Sequence, residues 1–372
     1  MLITEPLSMS KLWRQSFKEG SPTNRNKSES NIYARIKEHF KGGKLRMTED
    51  NNGMLYRRLK LREAESLEII SLMDNSVDIF STLQNGEVKN FREWTNEHFR
   101  LPIAEHGFSL LVRVFDGNKF RSILFDAGIS PNGVITNAKR MKIDLAEIEC
   151  IVISHGHHDH FGGLPAVVKA VGKDNLSIIV HEDMFKTRGV AISKGTVRKY
   201  PPFPTEEKVK PARYVKTKQA HLIANDLILV TGEIPRKTNF EKGYLPHRAL
   251  MNGKWQPDPW IWDDRALIIN IKNKGLVVLS GCAHAGIINT VFYAQQLTKV
   301  KTIYAILGGF HLAGKEYEQR ISQTVKALKR INPKLVVPSH CTGWRGTYAI
   351  AKAMPSAFIC NCVGNLYELN SQ

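Results

Sequence analysis

Four side chains that commonly bind metal ions lie close together in the segment IVISHGHHDHFGG (151–163). Imidazole nitrogens and a carboxylate suit zinc, manganese or iron, and four such groups in one short stretch can serve two ions. An apolar run, CIVIS (150–154), ends on this cluster, and Gly156 permits the tight backbone path that such crowding requires. A lone histidine is often a packed core residue, but this pattern predicts a metal centre. The predicted ligands are His155, His157, Asp159 and His160.

A second apolar run with potential ligands at its end is LVVLSGCAHAGIINT (276–290). His284 follows the apolar run and precedes Ala-Gly, a short turn sequence, so we expect it to bind metal. Two interpretations of Cys282 stay open, because a thiolate binds zinc well but a small buried thiol is equally common at a strand end. Glu233, in ILVTGEI, is a further possible ligand; otherwise it would hydrogen-bond to one.

Two features indicate an anionic substrate. His311 follows two glycines in GGFHL (308–312), which leave room for another group to approach. It is a candidate acid or hydrogen-bond donor to a substrate anion, although a packed core histidine is the alternative. Segment 186–220 is rich in lysine, arginine and proline and is predicted to be a basic insertion between sheet strands. Within it we expect Arg188 to bind a substrate phosphate, with help from Lys186, Arg198 and Lys199.

The HxHxDH pattern is the signature of the metallo-β-lactamase superfamily, which the chain resembles. The resemblance implies that His155 and His157 bind one metal ion, while Asp159 and His160 bind a second. FDAG (125–128) resembles the family's DxG element, so Asp126 would orient a ligand histidine from behind. PSHCTG (338–343) resembles the final motif, which would make His340 a ligand of the second ion.

Several departures narrow the resemblance to one subgroup. Most superfamily members have a bridging aspartate near the position of Cys282, and many have a histidine near that of Glu233. The chain resembles the group labelled 7,8-dihydropterin-6-yl-methyl-4-(β-D-ribofuranosyl)aminobenzene 5′-phosphate synthases, over about residues 68–365. This resemblance places Asp74, Asn75 and His106 at the rim of the substrate pocket. The motifs that carry it are LMDN (72–75), AEHGFSLL (104–111), DDRALII (263–269) and GGFHL (308–312).

The elements that position these residues are short apolar strands separated by turns and helices. The sequence DGNK (116–119) predicts a hairpin turn. Apolar runs indicate strands at 67–74, 108–115, 121–128, 176–181, 226–231, 265–271, 275–280, 303–308 and 335–338. Helices are predicted at 133–141, 163–171, 286–298 and 316–331. Together with the resemblance, this pattern predicts an αββα sandwich of two mixed sheets with helices on the outer faces. The catalytic domain is expected at 67–372, preceded by an extension at 1–66 that is partly disordered (17–31) or helical (31–42).

Bulk composition narrows the class of protein. Net charge is +18 in 372 residues, which would attract nucleic acid, anionic lipid or phosphorylated metabolites. The five cysteines form no CxxC pair, and no membrane-length apolar run or signal peptide is evident, so we expect a cytoplasmic protein without membrane contact. No clustered aromatic RNA-binding motif occurs, which argues against nucleic acid as partner. The sequence leaves the oligomeric state open.

The sequence predicts a hydrolase with two divalent metal ions, expected to be zinc, with iron or manganese as alternatives. A metal-activated hydroxide would attack a phosphoester or related ester, with Asp159 and His311 as catalytic residues. Two other functions stay open: a dihydropterin–ribofuranosylaminobenzene phosphate synthase, which is a transferase, and a nucleic-acid-binding or processing protein.

Overall fold

The computed structural model describes residues 47–49, 55–57 and 59–371, except 83–85 and 194. The helix predicted at 31–42 and the polar segment 17–31 lie outside the described residues. The chain divides into two compact units, Met1–Arg58 and Leu59–Gln372. In the first unit, two short strands pair antiparallel, and the second unit contains every residue predicted above to bind metal or substrate.

Short strands dominate the described chain. In chain order they are β1 (Met47–Glu49), β2 (Leu55–Arg57), β3 (Glu63–Ala64), β4 (Ser66–Met73), β5 (Val88–Lys89), β6 (Ser109–Asp116), β7 (Lys119–Phe125), β8 (Cys150–Val152), β9 (Ser177–Val180), β10 (Arg188–Ser193), β11 (Thr196–Lys199), β12 (Arg213–Lys216), β13 (His221–Ile223), β14 (Ile228–Val230), β15 (His247–Met251), β16 (Lys254–Pro257), β17 (Ala266–Ile271), β18 (Gly275–Ser280), β19 (Ile303–Gly309), β20 (Leu335–Ser339) and β21 (Leu366–Asn370).

Helices fill most of the longer connections between these strands. They are α1 (Phe91–Thr95), α2 (Gly133–Arg140), α3 (His158–Phe161), α4 (Leu164–Val171), α5 (Ile287–Thr298), α6 (Lys315–Glu318), α7 (Ile321–Ile331) and α8 (Gly343–Ala353). Single 3₁₀ turns occur at Leu145–Glu147, Glu182–Phe185, Glu206–Val209 and His340–Thr342. In the part of the chain that the structure describes, no helix is both long and apolar enough to cross a bilayer.

Two mixed sheets form the centre of the fold. One has the strand order β12-β9-β8-β7-β6-β4-β21-β5; the other has the order β13-β14-β17-β18-β19-β20, with β3 beside β17. Successive side chains of a strand point to opposite faces, so one strand can supply two cores. In β18, Val277 and Leu279 face the core between the sheets, whereas Leu276 and Val278 face the helices. Burial on both faces explains the unbroken apolar runs of these strands.

Helices cover the outer face of each sheet. Helices α2 and α4 pack on the eight-stranded sheet through residues such as Val134 and Val167. Helices α5, α7 and α8 pack on the other sheet through residues such as Ile288, Leu328 and Ile350. The layers therefore run helix, sheet, sheet, helix, and the αββα sandwich predicted from the sequence is confirmed. The predicted hairpin turn at 116–119 joins β6 to β7, with Gly117 at φ 62°.

The carboxyl ends of the parallel strands meet at one edge of the sandwich. Strands β7 and β8 are parallel neighbours in one sheet, and β18, β19 and β20 are parallel neighbours in the other. Each of these strands is followed within three positions by a residue singled out in the sequence. The topology therefore brings five separate motifs to one place: Asp126, the His155–His160 cluster, Cys282 with His284, His311 and His340.

A small accessory sheet has the order β11-β10-β15-β16 and is antiparallel throughout. It joins the first half of segment 186–220 to the later hairpin at 247–257. Strand β12, from the end of the same segment, instead pairs with β9 at the edge of the eight-stranded sheet.

Candidate metal centre

Three imidazole nitrogens converge on one point at the strand ends. His155 Nε2 lies 3.0 Å from His157 Nδ1, and His284 Nε2 lies 3.1 Å from each of them. Nitrogens bound to one tetrahedral zinc ion, each at about 2.0–2.1 Å, would be about 3.3 Å apart. The three nitrogens thus already have almost the spacing that a shared ion requires.

Hydrogen bonding among the three rings cannot satisfy this arrangement. A neutral imidazole has one donor and one acceptor nitrogen, and each hydrogen bond needs one of each. His155 uses its other nitrogen, Nδ1, at 2.9 Å from Ser154 Oγ. Because three nitrogens cannot all pair with one another, a cation between them is the arrangement that engages every lone pair. The donor set therefore fits a divalent metal ion.

Burial and the neighbouring histidines keep the imidazoles of His155, His157 and His284 neutral. Burial, followed by the neighbouring histidines, lowers the pKa of His155 well below its ordinary value. The pKa of His284 is lowered in the same way, by burial and then by His311. Burial and His247 lower the pKa of His157 to about 3. Near neutral pH all three imidazoles are unprotonated, which is the form that binds metal.

A second donor group adjoins the first. Asp159 Oδ2 lies 3.1 Å from His340 Nε2 and 3.7 Å from His160 Nε2. Burial opposes ionisation of Asp159, but His160 and His340 outweigh it and hold the pKa of Asp159 well below its usual range. Asp159 is therefore a carboxylate at neutral pH, and with the two imidazoles it offers the mixed nitrogen and oxygen ligands of a divalent ion.

Cys282 lies where the donor groups meet. Its Sγ is 3.2 Å from His160 Nε2. Among the described residues, the donor atoms of three sets each lie within 4.8 Å of one another, and Cys282 belongs to all three. Of the two interpretations that the sequence left open, the position of Cys282 among these donor atoms favours a metal-binding role over a packing role. The three sets are Asp159–His160–Cys282–His340, His155–Cys282–His284 and Cys282–His311–Cys341.

Asp126 supports the second group from behind. It is fully buried, and its Oδ2 lies 2.6 Å from His160 Nδ1 and 2.7 Å from Ser154 Oγ. Burial lowers the proton affinity of His160, but Asp126 and Asp159 outweigh it and raise the pKa of His160 to about 9. Because the Asp126 carboxylate holds the Nδ1–H, the Nε2 atom faces Cys282. Metal binding at Nε2 would release one proton near neutral pH.

Backbone strain is concentrated at the same place. Asp126, Ala283, His311 and His340 all have positive φ angles, of 65°, 53°, 45° and 49°. Non-glycine residues adopt this region rarely, and they do so mainly where the surrounding structure forces a side chain into a working position. At His340 a hydrogen bond holds this backbone conformation: the backbone N–H of His340 donates to the buried Asp74 at 2.9 Å.

Two further histidines stand at the mouth of the site. His106 is largely exposed, stacks on His340 with ring centroids 4.8 Å apart, and has Nε2 3.7 Å from Asp159 Oδ2. His311 contacts His284 with tilted rings and Tyr317 edge to face, each with ring centroids 4.2 Å apart. Its Nδ1 is buried and has no hydrogen-bond partner in the described chain.

Arg188 does not occupy the position predicted for it. It is 3% exposed and forms two hydrogen bonds with Asp263, of 2.7 and 2.6 Å, and one of 3.1 Å with Asp258. The pKa of Asp263 falls well below its usual range, since Arg188 outweighs the opposing effect of burial. This guanidinium is buried, and three of its five N–H groups donate to carboxylates that neutralise its charge, so Arg188 is not available to a substrate phosphate and this expectation was wrong.

Asp74 and Glu233 also contact protein groups instead of the predicted partners. Asp74 is 2% exposed and binds the backbone of His340 and the side chain of Asn361, so it holds the turn at His340 and is not a substrate contact. Glu233 accepts a hydrogen bond from His181 Nε2 at 3.1 Å and belongs to none of the donor sets found among the described residues. Asn75 is exposed, and its Nδ2 donates to His340 O at 2.9 Å.

Two residues of the site, His247 and Cys341, were not predicted from the sequence. His247 is fully buried, with Nε2 3.3 Å from His157 Nε2. Its neighbours in the chain, Pro246 and Arg248, show no ligand spacing, and only the fold brings it here. Cys341 follows His340 directly, and that adjacency was a signal in the sequence.

Comparison with known proteins identifies the family to which the chain belongs. Residues 104–235 match the family model described as the metallo-beta-lactamase superfamily. A curated relative, the 7,8-dihydropterin-6-methyl-4-(beta-D-ribofuranosyl)-aminobenzene-5′-phosphate synthase of Methanocaldococcus jannaschii, is 32% identical over 251 residues, covering 65% of this chain and 82% of that protein. An uncharacterized protein of the same organism is 32% identical over 257 residues, covering 67% of this chain and 89% of the relative.

Among solved structures, a metal-dependent hydrolase of the beta-lactamase superfamily has a TM-score of 0.63 and 24% identity, covering 82% of this chain and 99% of the other. That degree of likeness bears on the fold alone.

Proposed function

The chain belongs to the metallo-β-lactamase superfamily, and from this premise we propose that it is a metal-dependent hydrolase of a small anionic substrate, a phosphoester or related ester. The observation that carries the proposal is the pair of adjoining donor groups that share Cys282. Two neighbouring groups of this kind suit a pair of ions, and a hydrolytic centre uses such a pair to hold the reacting group and the nucleophile together.

We assign one ion to His155, His157 and His284 and the other to Asp159, His160 and His340, with Cys282 between them. Nitrogen, carboxylate and thiolate ligands together favour zinc over magnesium or calcium, because the harder ions prefer oxygen alone. When bound, the ions supply hydroxide near neutral pH and stabilise negative charge on the substrate oxygens.

The chain's own residues then orient the reactants. Asp159 stays ionised, so a carboxylate oxygen stands ready to accept a hydrogen bond from the nucleophile and to direct its lone pair. His106 lies beside that oxygen and is exposed, which suits it to contact the substrate. His311 is a second candidate for a proton donor, since its Nδ1 has no partner of its own in the described chain.

An anionic substrate fits the charge around the mouth. Tyr200 lies against His157 with ring centroids 5.4 Å apart, and Tyr244 lies against Tyr317 at 5.6 Å. Arg198 of β11 and His247 of β15 both pair in register with Val190 of β10, so Arg198 lies on the accessory sheet two strands from His247, whose ring contacts His157. Because Arg198 is exposed and Arg188 is neutralised, Arg198 replaces Arg188 as the proposed contact of the insertion with an anion.

A substrate panel tests the proposal. Purified protein loaded with zinc should hydrolyse one or more phosphomonoesters, phosphodiesters or lactones, and the Asp159→Asn variant should lose at least about 100-fold in kcat/KM, the lower range for a positioned acid–base group. A protein with both ions bound and no hydrolysis across the panel would contradict it. A salt-titrated DNA and RNA binding assay in parallel tests whether the net positive charge serves nucleic acid instead.

A second candidate is a synthase that joins a dihydropterin to a ribofuranosylaminobenzene phosphate. It rests on the 32% identity to a protein of that name over 82% of that protein's length. The tyrosines at the mouth would suit a flat heterocycle. Incubation with a dihydropterin pyrophosphate and ribosylaminobenzene phosphate distinguishes the two functions: coupled product with released pyrophosphate supports the synthase, and hydrolysed pyrophosphate alone supports the hydrolase.

A further inference from the structure

His247 lies behind the first donor group, on an element outside the two main sheets. It begins β15 of the accessory sheet, where it pairs in register with Val190 of β10. The ring is fully buried, and its Nε2 lies 3.3 Å from Nε2 of His157. The opposite nitrogen of His157, Nδ1, is the one that faces His155 and His284. His247 therefore contacts a proposed ligand on the side away from the ion.

The hydrogen bonds around the ring allow one assignment of protons. His247 Nδ1 lies 2.8 Å from the backbone carbonyl of Asp258, which can only accept, so Nδ1 carries the hydrogen. In a neutral His247 the Nε2 atom is then an acceptor. His157 Nε2 must donate to it, which leaves the lone pair of His157 on Nδ1, directed at the converging nitrogens. This is the tautomer that a ligand bound through Nδ1 requires.

Further hydrogen bonds connect the surroundings of His247 to the loop that carries His155 and His157. Asp258 Oδ2 accepts from Arg188 Nε at 3.1 Å, and Arg188 binds both oxygens of Asp263. Asp263 Oδ2 accepts in turn from the backbone N–H of Gly156 at 2.8 Å. Gly156 separates the two ligands His155 and His157. The accessory sheet thus holds this segment at its backbone and at one ring.

Resting on the metal centre of the proposed function, we infer that His247 is a positioning residue: it accepts a hydrogen bond from His157 Nε2 and so fixes the tautomer and ring orientation with which His157 binds metal. The accessory sheet, which carries His247 and Arg188, then fixes the position of His157 in the proposed site formed by His155, His157 and His284. Such partners of ligand histidines typically contribute about 10- to 100-fold to metal affinity.

The test compares two substitutions by zinc affinity, measured by competition with a chelator. His247→Leu removes the acceptor, and we expect zinc to bind about 10- to 100-fold more weakly at one site. His247→Gln keeps an acceptor oxygen near the position of Nε2, so affinity should stay within about threefold of wild type. His98→Gln changes an exposed histidine and serves as control. Urea unfolding of the metal-free variants verifies that each is folded.

Each alternative result has a definite meaning. Equal zinc affinity in wild type and His247→Leu would overturn the inference and leave the proposed function intact. Equal weakening in the Leu and Gln variants would also overturn it, because the acceptor would then be irrelevant. Loss of one whole equivalent of zinc in both variants would show that His247 is itself a ligand. A wild-type protein that takes up no metal would refute the metal centre and the inference together.

Discussion

At the scale of single residues, the proposed metal centre depends most on Cys282, which belongs to all three donor sets found among the described residues. We expect Cys282→Ser to weaken binding of at least one ion strongly, since a hydroxyl is a poor replacement for a shared thiolate. Cys282→Asp should keep two ions but shift preference from zinc towards manganese, because carboxylate oxygen is the harder ligand. Dialysis against equimolar zinc and manganese followed by elemental analysis measures both effects. The exposed Cys360→Ser is the control, and a normal metal content in Cys282→Ser would exclude the shared-ligand role.

The histidine pKa values predict how the metal-free protein responds to pH. The pKa of His157 is lowered to about 3 by burial and His247, so below about pH 6.5 the unfolded chain binds the proton first and stability falls with falling pH. Asp126 and Asp159 raise the pKa of His160 to about 9 against the effect of burial, so that contribution is full below about 6.5 and is lost as the pH rises towards 9.

Chemical denaturation of the metal-free protein should therefore show greatest stability near pH 6.5, with losses at about pH 5 and about pH 8.5. In His157→Gln the acid loss should be smaller, while the alkaline loss is retained. A stability that is flat across this range, or that rises towards acid, would mean that His157 is not buried as a neutral imidazole and that His160 is not held in its charged form by Asp126.

Residue types and spacing were enough to predict the donor groups, because donor residues that follow a strand are recognisable as histidine or aspartate placed just after an apolar run. His155, His157, Asp159 and His160 are close in the chain, and His284 and His340 each stand after an apolar strand. Arg188 shows the limit of this reasoning. Its sequence neighbours made it look like part of a basic surface, but Asp258 and Asp263, about seventy positions away, bury it and neutralise it.

At the scale of elements, the buried ion pair between Arg188 and Asp263 joins the accessory sheet to the loop that carries His155 and His157. Asp263→Ala would leave Arg188 buried with only Asp258 as partner, and we expect a loss of about 3 kcal/mol in the free energy of unfolding. Glu149→Ala, which breaks the surface pair with Arg121, should cost only about 0–1 kcal/mol. Urea unfolding of both variants makes the comparison, and equal losses would show that the Arg188–Asp263 pair does not anchor the sheet.

Strands and helices could be predicted where packing against a core determines the pattern of apolar residues. Strands β17 to β20 and helices α4 and α5 lie within a few residues of their predicted bounds, since their apolar runs are buried on one or both faces. Strands β11 and β16 were missed because TVRK and KWQP are partly exposed and carry no alternation. The helix predicted at 316–331 is two helices, α6 and α7, separated by Gln319 and Arg320.

At the scale of the whole molecule, the division of the chain predicts what can be removed. A protein that starts at Leu59 should keep its metal content and turnover, because every donor residue lies in the second compact unit. A protein that starts at Leu67 should be less stable, since it lacks β3, whose buried Ala64 pairs with Ile271 of β17. Metal analysis, turnover and thermal unfolding of both truncations test this, and a folded, metal-bound but inactive protein from Leu59 would show that the first 58 residues serve catalysis.

We propose two neighbouring ions, one held by His155, His157 and His284 and the other by Asp159, His160 and His340, with Cys282 close to both groups of donor atoms. Anomalous diffraction from crystals of the zinc-loaded protein, collected on either side of the zinc edge, tests this most directly. We expect two strong peaks per chain, the first within bonding distance of His155, His157 and His284 and the second within bonding distance of His160 and His340. Peaks at other residues, or no peak at these nitrogens, would contradict it.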